Sequence, residues 1–258
     1  MKTSLFQWRP GVLFAALLAL QLLLISGCKK SEEPTTPGGG TTGDLLPLVV
    51  GHYWSYIVYE LDANNNHVAG TETYSSTKVA AQVTFAGRSA YMLIDSTFNH
   101  QNQFESADTI LVSKDANGDL SLYFAMQPPE GLPITFPSGW FPFIRFSAGT
   151  GVEYTIVMVD TTISQQGVSL HFLFKLTGLV SGQEQVQTPA GTFNATKFRL
   201  RNAVTVTMGG QTVYSQTEDT YMYFASGVGP VRNYTPSTTS ATGELQAGND
   251  ALLRYKNF

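Results

Sequence analysis

The sequence predicts an all-β fold: a single domain of antiparallel strands in a meander, curved strongly into a half-barrel or barrel, after a cleaved signal helix. Three observations predict it. From Leu45 onward no window carries a sustained apolar stripe at i, i+3, i+4, i+7. Period-two alternation recurs instead, most clearly where Leu170, Phe172, Phe174 and Leu176 alternate with Ser169, His171 and Lys175, the pattern of a half-buried antiparallel strand. Between the alternating runs stand residues that accept positive φ, as in Ala86-Gly87-Arg88, Asn117-Gly118, Gln166-Gly167 and Gly209-Gly210.

The chain opens with a segment of a different kind. Lys2 and Arg9 precede an apolar run from Gly11 to Ile25, followed by Ser26 and Gly27. The run is short for a transmembrane helix of about 20 residues and has the layout of a secretory signal. Ile25-Ser26-Gly27-Cys28 resembles a bacterial lipobox, and Cys28 is the only cysteine in the chain. That resemblance implies cleavage between Gly27 and Cys28 and attachment of diacylglycerol and a further fatty acid such as palmitate to Cys28. Several acyl chains, at about 0.8 kcal/mol per buried methylene, anchor stably. The expected organisation is therefore a signal peptide over 1–27, a lipidated Cys and linker over 28–44, and a β domain over 45–258.

The linker, rich in Pro, Gly and Thr from Pro34 to Gly43, cannot pack a core and reads as a tether. Its Lys30-Ser31-Glu32-Glu33 stretch resembles a short acidic export signal of Bacteroidetes-type lipoproteins. The expected location is the bacterial envelope, anchored by lipid to the outer membrane at its periplasmic face or the cell surface.

Within the domain the alternation places strands at 53–61, 67–75, 77–85, 89–98, 106–113, 119–126, 140–146, 152–164, 168–180, 183–188, 195–208, 211–225, 229–235 and 251–256. Those of the second half exceed the usual five or six residues and suit a barrel or curved sheet. Two strands are apolar on both faces, with Tyr53, Ile57 and Tyr59 opposing Trp54, Tyr56 and Val58, and Tyr221 and Tyr223 opposing Met222 and Phe224. Such strands lie between two layers or line an enclosed space.

Three short motifs mark the domain. Pro47-Leu48-Val49-Val50-Gly51-His52-Tyr53-Trp54 opens it, Thr188-Pro189-Ala190-Gly191-Thr192-Phe193 forms a turn, and Gly227-Val228-Gly229 precedes the last strands. Together they resemble a TapB-like family of secreted and lipid-anchored bacterial β-proteins with no established catalytic residues. The residues themselves read as architecture: Pro189 presets φ, Gly191 permits a left-handed step, and the Trp54 indole needs a partner for its N–H.

Composition narrows function mainly by exclusion. A formal charge of −4, becoming −6 once Lys2 and Arg9 leave with the signal, and no Lys/Arg run beyond Lys29-Lys30 argue against nucleic acid. His52, His67, His100 and His171 stand apart, with no metal-ligand spacing, so no metal or other cofactor is expected. There is no nucleophile elbow or phosphate loop, and lipidation would occupy the lone thiol. Glu184, Glu218 and Asp219 could supply a carboxylate pair for glycoside hydrolysis only at the right separation. Asp62–Asn66 and Asp115–Asp119 resemble calcium loops but lack the Gly and Glu of an EF-hand and read as hairpin tips.

One stretch departs from the strand-and-turn rule. Residues 127–146 mix five prolines with Ile134, Phe136, Trp140, Phe141, Phe143 and Phe146. It reads either as a crossover folded onto the sheet as a core plug or as the mouth of an apolar pocket. In the second reading Trp140, Phe141, Phe143 and Trp54 are the candidate ligand-lining residues. The expected function is non-catalytic binding of an apolar or amphiphilic ligand, or of a protein partner, by an envelope lipoprotein that is not an enzyme. The alternatives are a glycan- or protein-binding module using exposed aromatics, and an envelope hydrolase.

Overall fold

The computed structural model describes residues 43–125, 134–165, 168–240 and 243–258. The lipobox with Gly27 and Cys28, and the Gln166-Gly167 turn, lie outside the described residues. Twelve antiparallel strands form one sheet curved into a nearly closed barrel. In chain order they are β1 (Tyr53–Glu60), β2 (Thr73–Phe85), β3 (Arg88–Phe98), β4 (Phe104–Lys114), β5 (Leu120–Ala125), β6 (Ser138–Ile144), β7 (Glu153–Gln165), β8 (Val168–Thr188), β9 (Gly191–Met208), β10 (Gln211–Ala225), β11 (Gly229–Thr235) and, after the small pair β12 (Thr238–Thr239) and β13 (Leu245–Gln246), β14 (Asn249–Lys256). Their order in space is β6-β5-β4-β3-β2-β1-β14-β11-β10-β9-β8-β7. The sheet is thus two meanders joined where β14 pairs with both β1 and β11.

The edge strands β6 and β7 meet at a seam closed by a side chain. Tyr154 of β7 donates its hydroxyl hydrogen to Phe143 O at 2.9 Å and accepts the Arg145 amide at 2.7 Å. Its ring lies over Gly178 of β8, where an added Cβ would meet it at 2.6 Å. A side chain at 178 would push out the group that latches the seam.

The core follows the pleat. Trp54, Tyr56 and Val58 of β1 face inward with Ala251 and Leu253 of β14, Met222 and Phe224 of β10, and Phe198 and Leu200 of β9, and all are buried. The three turns expected to need positive φ and lying within the described residues have it, at Ala86 and Gly87, at Gly118, and at Gly209 and Gly210.

Some boundaries differ from expectation. The two strands expected at 67–75 and 77–85 are one: 68–72 are not strand, and β2 begins at Thr73 and runs to Phe85. The start of β2 follows from pairing, since its register with β1 begins at Thr73 opposite Val58. Likewise 168–180 and 183–188 are one strand, β8. Gly182, at φ +129°, carries a bulge that bends the strand where a break was expected.

Candidate functional site

The three sequence motifs meet at one end of the barrel. Trp54 is fully buried, and its Nε1 donates to Val228 O at 2.6 Å, inside the Gly227-Val228-Gly229 turn. Gly229 sits at φ +96°, and a Cβ there would lie 2.8 Å from the Trp54 Nε1. The Pro189-Ala190 turn is fastened to the same wall, Ala190 N donating to Leu253 O at 3.0 Å. The N-terminal segment closes this end: Leu46 and Leu48 are buried, Gly227 N donates to Asp44 O, and Lys114 pairs with Asp44.

Beneath this cap lies a cavity of about 120 Å³. Its wall is mostly apolar, with Leu46, Trp54, Leu93, Val112, Leu122 and Phe143 among its residues. Thr77 and Asp95 also face it, because the cross-strand register puts Trp54, Thr77, Asp95 and Asp108 side by side on β1, β2, β3 and β4. Asp95 is only 4% exposed, and its Oδ1 accepts the Thr77 hydroxyl at 2.6 Å. Burial, eased by the Thr77 hydrogen bond and reinforced by the Asp108 charge, pushes the Asp95 carboxyl up to about 7. On the inner face of β10, burial also raises Glu218 to about 7.

Of the four residues expected to line a pocket, Trp54 and Phe143 line this cavity. Phe141 stacks on Phe124 at 4.4 Å. Trp140 pairs with Tyr123 across β5 and β6, edge to face at 5.5 Å, with the Arg88 guanidinium 5.7 Å from its ring. Neither is in the cavity wall. The described part of the proline-rich stretch packs as a plug, with Phe136 edge-on to Phe172 and Phe174 and with Ile134 buried. Residues 126–133 lie outside the described residues.

Asp95 belongs to no catalytic or metal-binding motif, and its inward position follows from parity alone. It shares its face with Leu93 and Thr97, so an acid at that position of an alternating strand was the available signal.

The other candidates are held in structural roles. Glu218 and Asp219 are neighbours on one strand and so face opposite sides of the sheet. Asp219 is on the outer face in a bidentate pair with Arg201 at 2.7 Å, and Glu184 pairs with Lys197 at 2.8 Å. Two outer tyrosines carry cations, Lys197 lying 5.0 Å from the Tyr221 ring and Arg232 4.7 Å from that of Tyr234, while Tyr255 is exposed. His67 bonds Asp250, His171 bonds Asp160, and His52 stacks on Phe258. Among the described residues no three His, Cys, Asp or Glu side chains come together as a metal site. The Asp62 and Asp115 carboxylates accept backbone amides of their own turns, Asn64 and Asn66 in one and Asn117 and Asp119 in the other.

The fold and lumen define a class, that of single-sheet antiparallel β-barrels with a small, mainly apolar cavity. Comparison with known proteins adds a family model described as DUF3108-like, which matches residues 153–238. That stretch holds the Thr188–Phe193 and Gly227–Gly229 motifs but not Trp54. Two crystal structures are similar over 84% of this chain and all of theirs: a candidate lipoprotein from Parabacteroides distasonis ATCC 8503 (15% identity, TM-score 0.49) and a candidate exported protein with a YmcC-like fold from Bacteroides fragilis NCTC 9343 (14% identity, TM-score 0.47). Comparison with curated proteins gives no match.

Proposed function

We propose that the chain is a lipoprotein of the bacterial envelope, tethered by acyl chains on Cys28, whose barrel binds a small apolar or amphiphilic ligand without transforming it. The observation that carries this reading is the lumen cavity: about 120 Å³, walled mainly by aliphatic and aromatic side chains. That volume is well below the roughly 300–1,000 Å³ of drug-sized sites. The occupant is therefore a ring, a short chain, or the end of a larger amphiphile. A ring the size of a Phe side chain buries on the order of 150 Å² and gains about 4 kcal/mol at 25 cal/mol per Å². Binding of such a fragment is near millimolar.

The tether supports placement near a membrane. Asp44 is the first residue with hydrogen bonds to the barrel among those described, 16 residues after Cys28, so the span is at most about 55 Å fully extended. Among the tyrosines of the β9–β11 face, Tyr223 is buried beneath Lys197 and Arg232 and gives no platform for a sugar ring.

Purification from the native envelope, followed by mass spectrometry of extracted small molecules, tests the ligand. A stoichiometric apolar or amphiphilic species supports the reading; a well-folded preparation that carries none and binds no apolar probe overturns it. Metabolic labelling with a fatty acid tests the anchor: label on the wild-type chain and none on Cys28→Ala is expected, and continued labelling of the variant removes the lipobox argument.

A further inference from the structure

We propose that the lumen cavity selects ligands carrying a protonated amine on a small apolar body, with the ammonium against Asp95 and the Asn233 side-chain carbonyl. This rests on the lumen being a ligand site, and it names the ligand's head group.

Much of the wall's hydrogen-bonding capacity is already committed. Three donors that belong to it are spent on protein acceptors: Trp54 Nε1 on Val228 O, Tyr56 hydroxyl on Pro230 O at 3.1 Å, and Thr77 hydroxyl on Asp95. Acceptors remain. Asn233 Oδ1 is buried with no hydrogen-bond partner among the described residues, and Asn233 lines the same cavity as Asp95. Such an orphan acceptor calls for a donor.

Charge points the same way. The ionisable residues around Asp95 are Tyr56 from β1, Asp108 from β4 and Arg232 from β11. Arg232 does not neutralise it, because its guanidinium is turned to the outer face in a bidentate pair with Asp250 at 2.7 and 2.9 Å. A buried carboxylate flanked by a second carboxylate and an unpaired amide oxygen repels an anionic head group and stabilises a cationic one. The surrounding Leu93, Ile110, Val112 and Leu122 leave room for hydrocarbon rather than for a hydrated ion.

Three probes of one apolar body separate the possibilities: benzylamine, benzyl alcohol and benzoate, titrated into the full chain by ligand-observed NMR. At pH 8 benzylamine is expected to bind at least about tenfold more tightly than benzyl alcohol, the size of one charge-assisted hydrogen bond, and benzoate more weakly than either. The preference for amine should shrink below pH 6, where Asp95 is protonated, and vanish in Asp95→Asn. A melting temperature equal to that of the wild type at pH 4 reports that the variant is folded. Equal binding of amine and alcohol to the wild type overturns the head-group assignment and leaves the cavity reading standing. No binding of any probe overturns both.

Discussion

Gly229→Ala perturbs the contact on which the cap end depends. Two effects add. An L side chain at φ +96° costs roughly 1–2 kcal/mol, because its Cβ crowds the backbone. The new Cβ would also lie 2.8 Å from Trp54 Nε1 and 3.1 Å from Cε2 and Cζ2. The indole cannot swing away, being fully buried and bonded to Val228 O, so overpacking adds about 1–3 kcal/mol. A total of about 2–5 kcal/mol lowers the melting temperature by roughly 5–15 °C in a domain of this size. Differential scanning calorimetry reads it. Trp54→Phe supplies the second corner of a double-mutant cycle, since phenylalanine lacks the atoms that the Cβ strikes. The two substitutions together should therefore cost less than their sum by at least about 1 kcal/mol. A Gly229→Ala protein melting within 2 °C of wild type, or a strictly additive cycle, would refute the view that this turn is shaped around the indole.

Gly178→Ala should open the seam rather than the cap: its Cβ would meet the Tyr154 ring at 2.6 Å and Phe198 Cζ at 2.8 Å. Faster hydrogen exchange in β6 than in β1 is the expected mark of a lost Tyr154 latch, and uniform acceleration would count against it. Asp95 makes stability fall as pH rises: its folded value of about 7 lies above the ordinary carboxylate value, so the native state holds more protons between about pH 4 and 7. Asp95→Asn should be the more stable form at pH 8, by an amount on the order of 4 kcal/mol, and this advantage should fade toward pH 4. Parallel stability curves for variant and wild type across that range would show that Asp95 does not titrate as described. Asp250→Ala should cost about 3 kcal/mol by stranding Arg232 under the Tyr223 and Tyr234 rings, measured by urea denaturation; a loss below 0.5 kcal/mol would make the pair a surface ornament.

What the chain reveals before folding is mostly local. Alternation of Phe172, Phe174 and Leu176 with polar neighbours gives both the strand and its buried face, and Gly209-Gly210 gives the hairpin, because each depends on residues two to four apart. The Trp54 indole was recognisable as a group needing a partner. That its acceptor is Val228 O, 174 residues away, depends on β14 joining the two meanders, which no local pattern encodes. The same holds for the site. An acidic side chain at an inward position of β3 is legible at Asp95, yet its isolation depends on Arg232 facing outward to Asp250 from strands far along the chain. Trp140 shows the converse: its aromatic, proline-rich surroundings suggested a pocket, while parity on β6 turns it away to Tyr123 and Arg88.

The most direct test is a methyl-resolved NMR titration of the full chain with benzylamine at pH 8. Saturable shifts confined to the methyls of Leu93, Ile110, Val112, Leu122 and Ile144, at millimolar or tighter affinity, are the result this account requires. Shifts restricted to exposed methyls such as those of Val49, Val152 and Val213, with the interior silent, would contradict it.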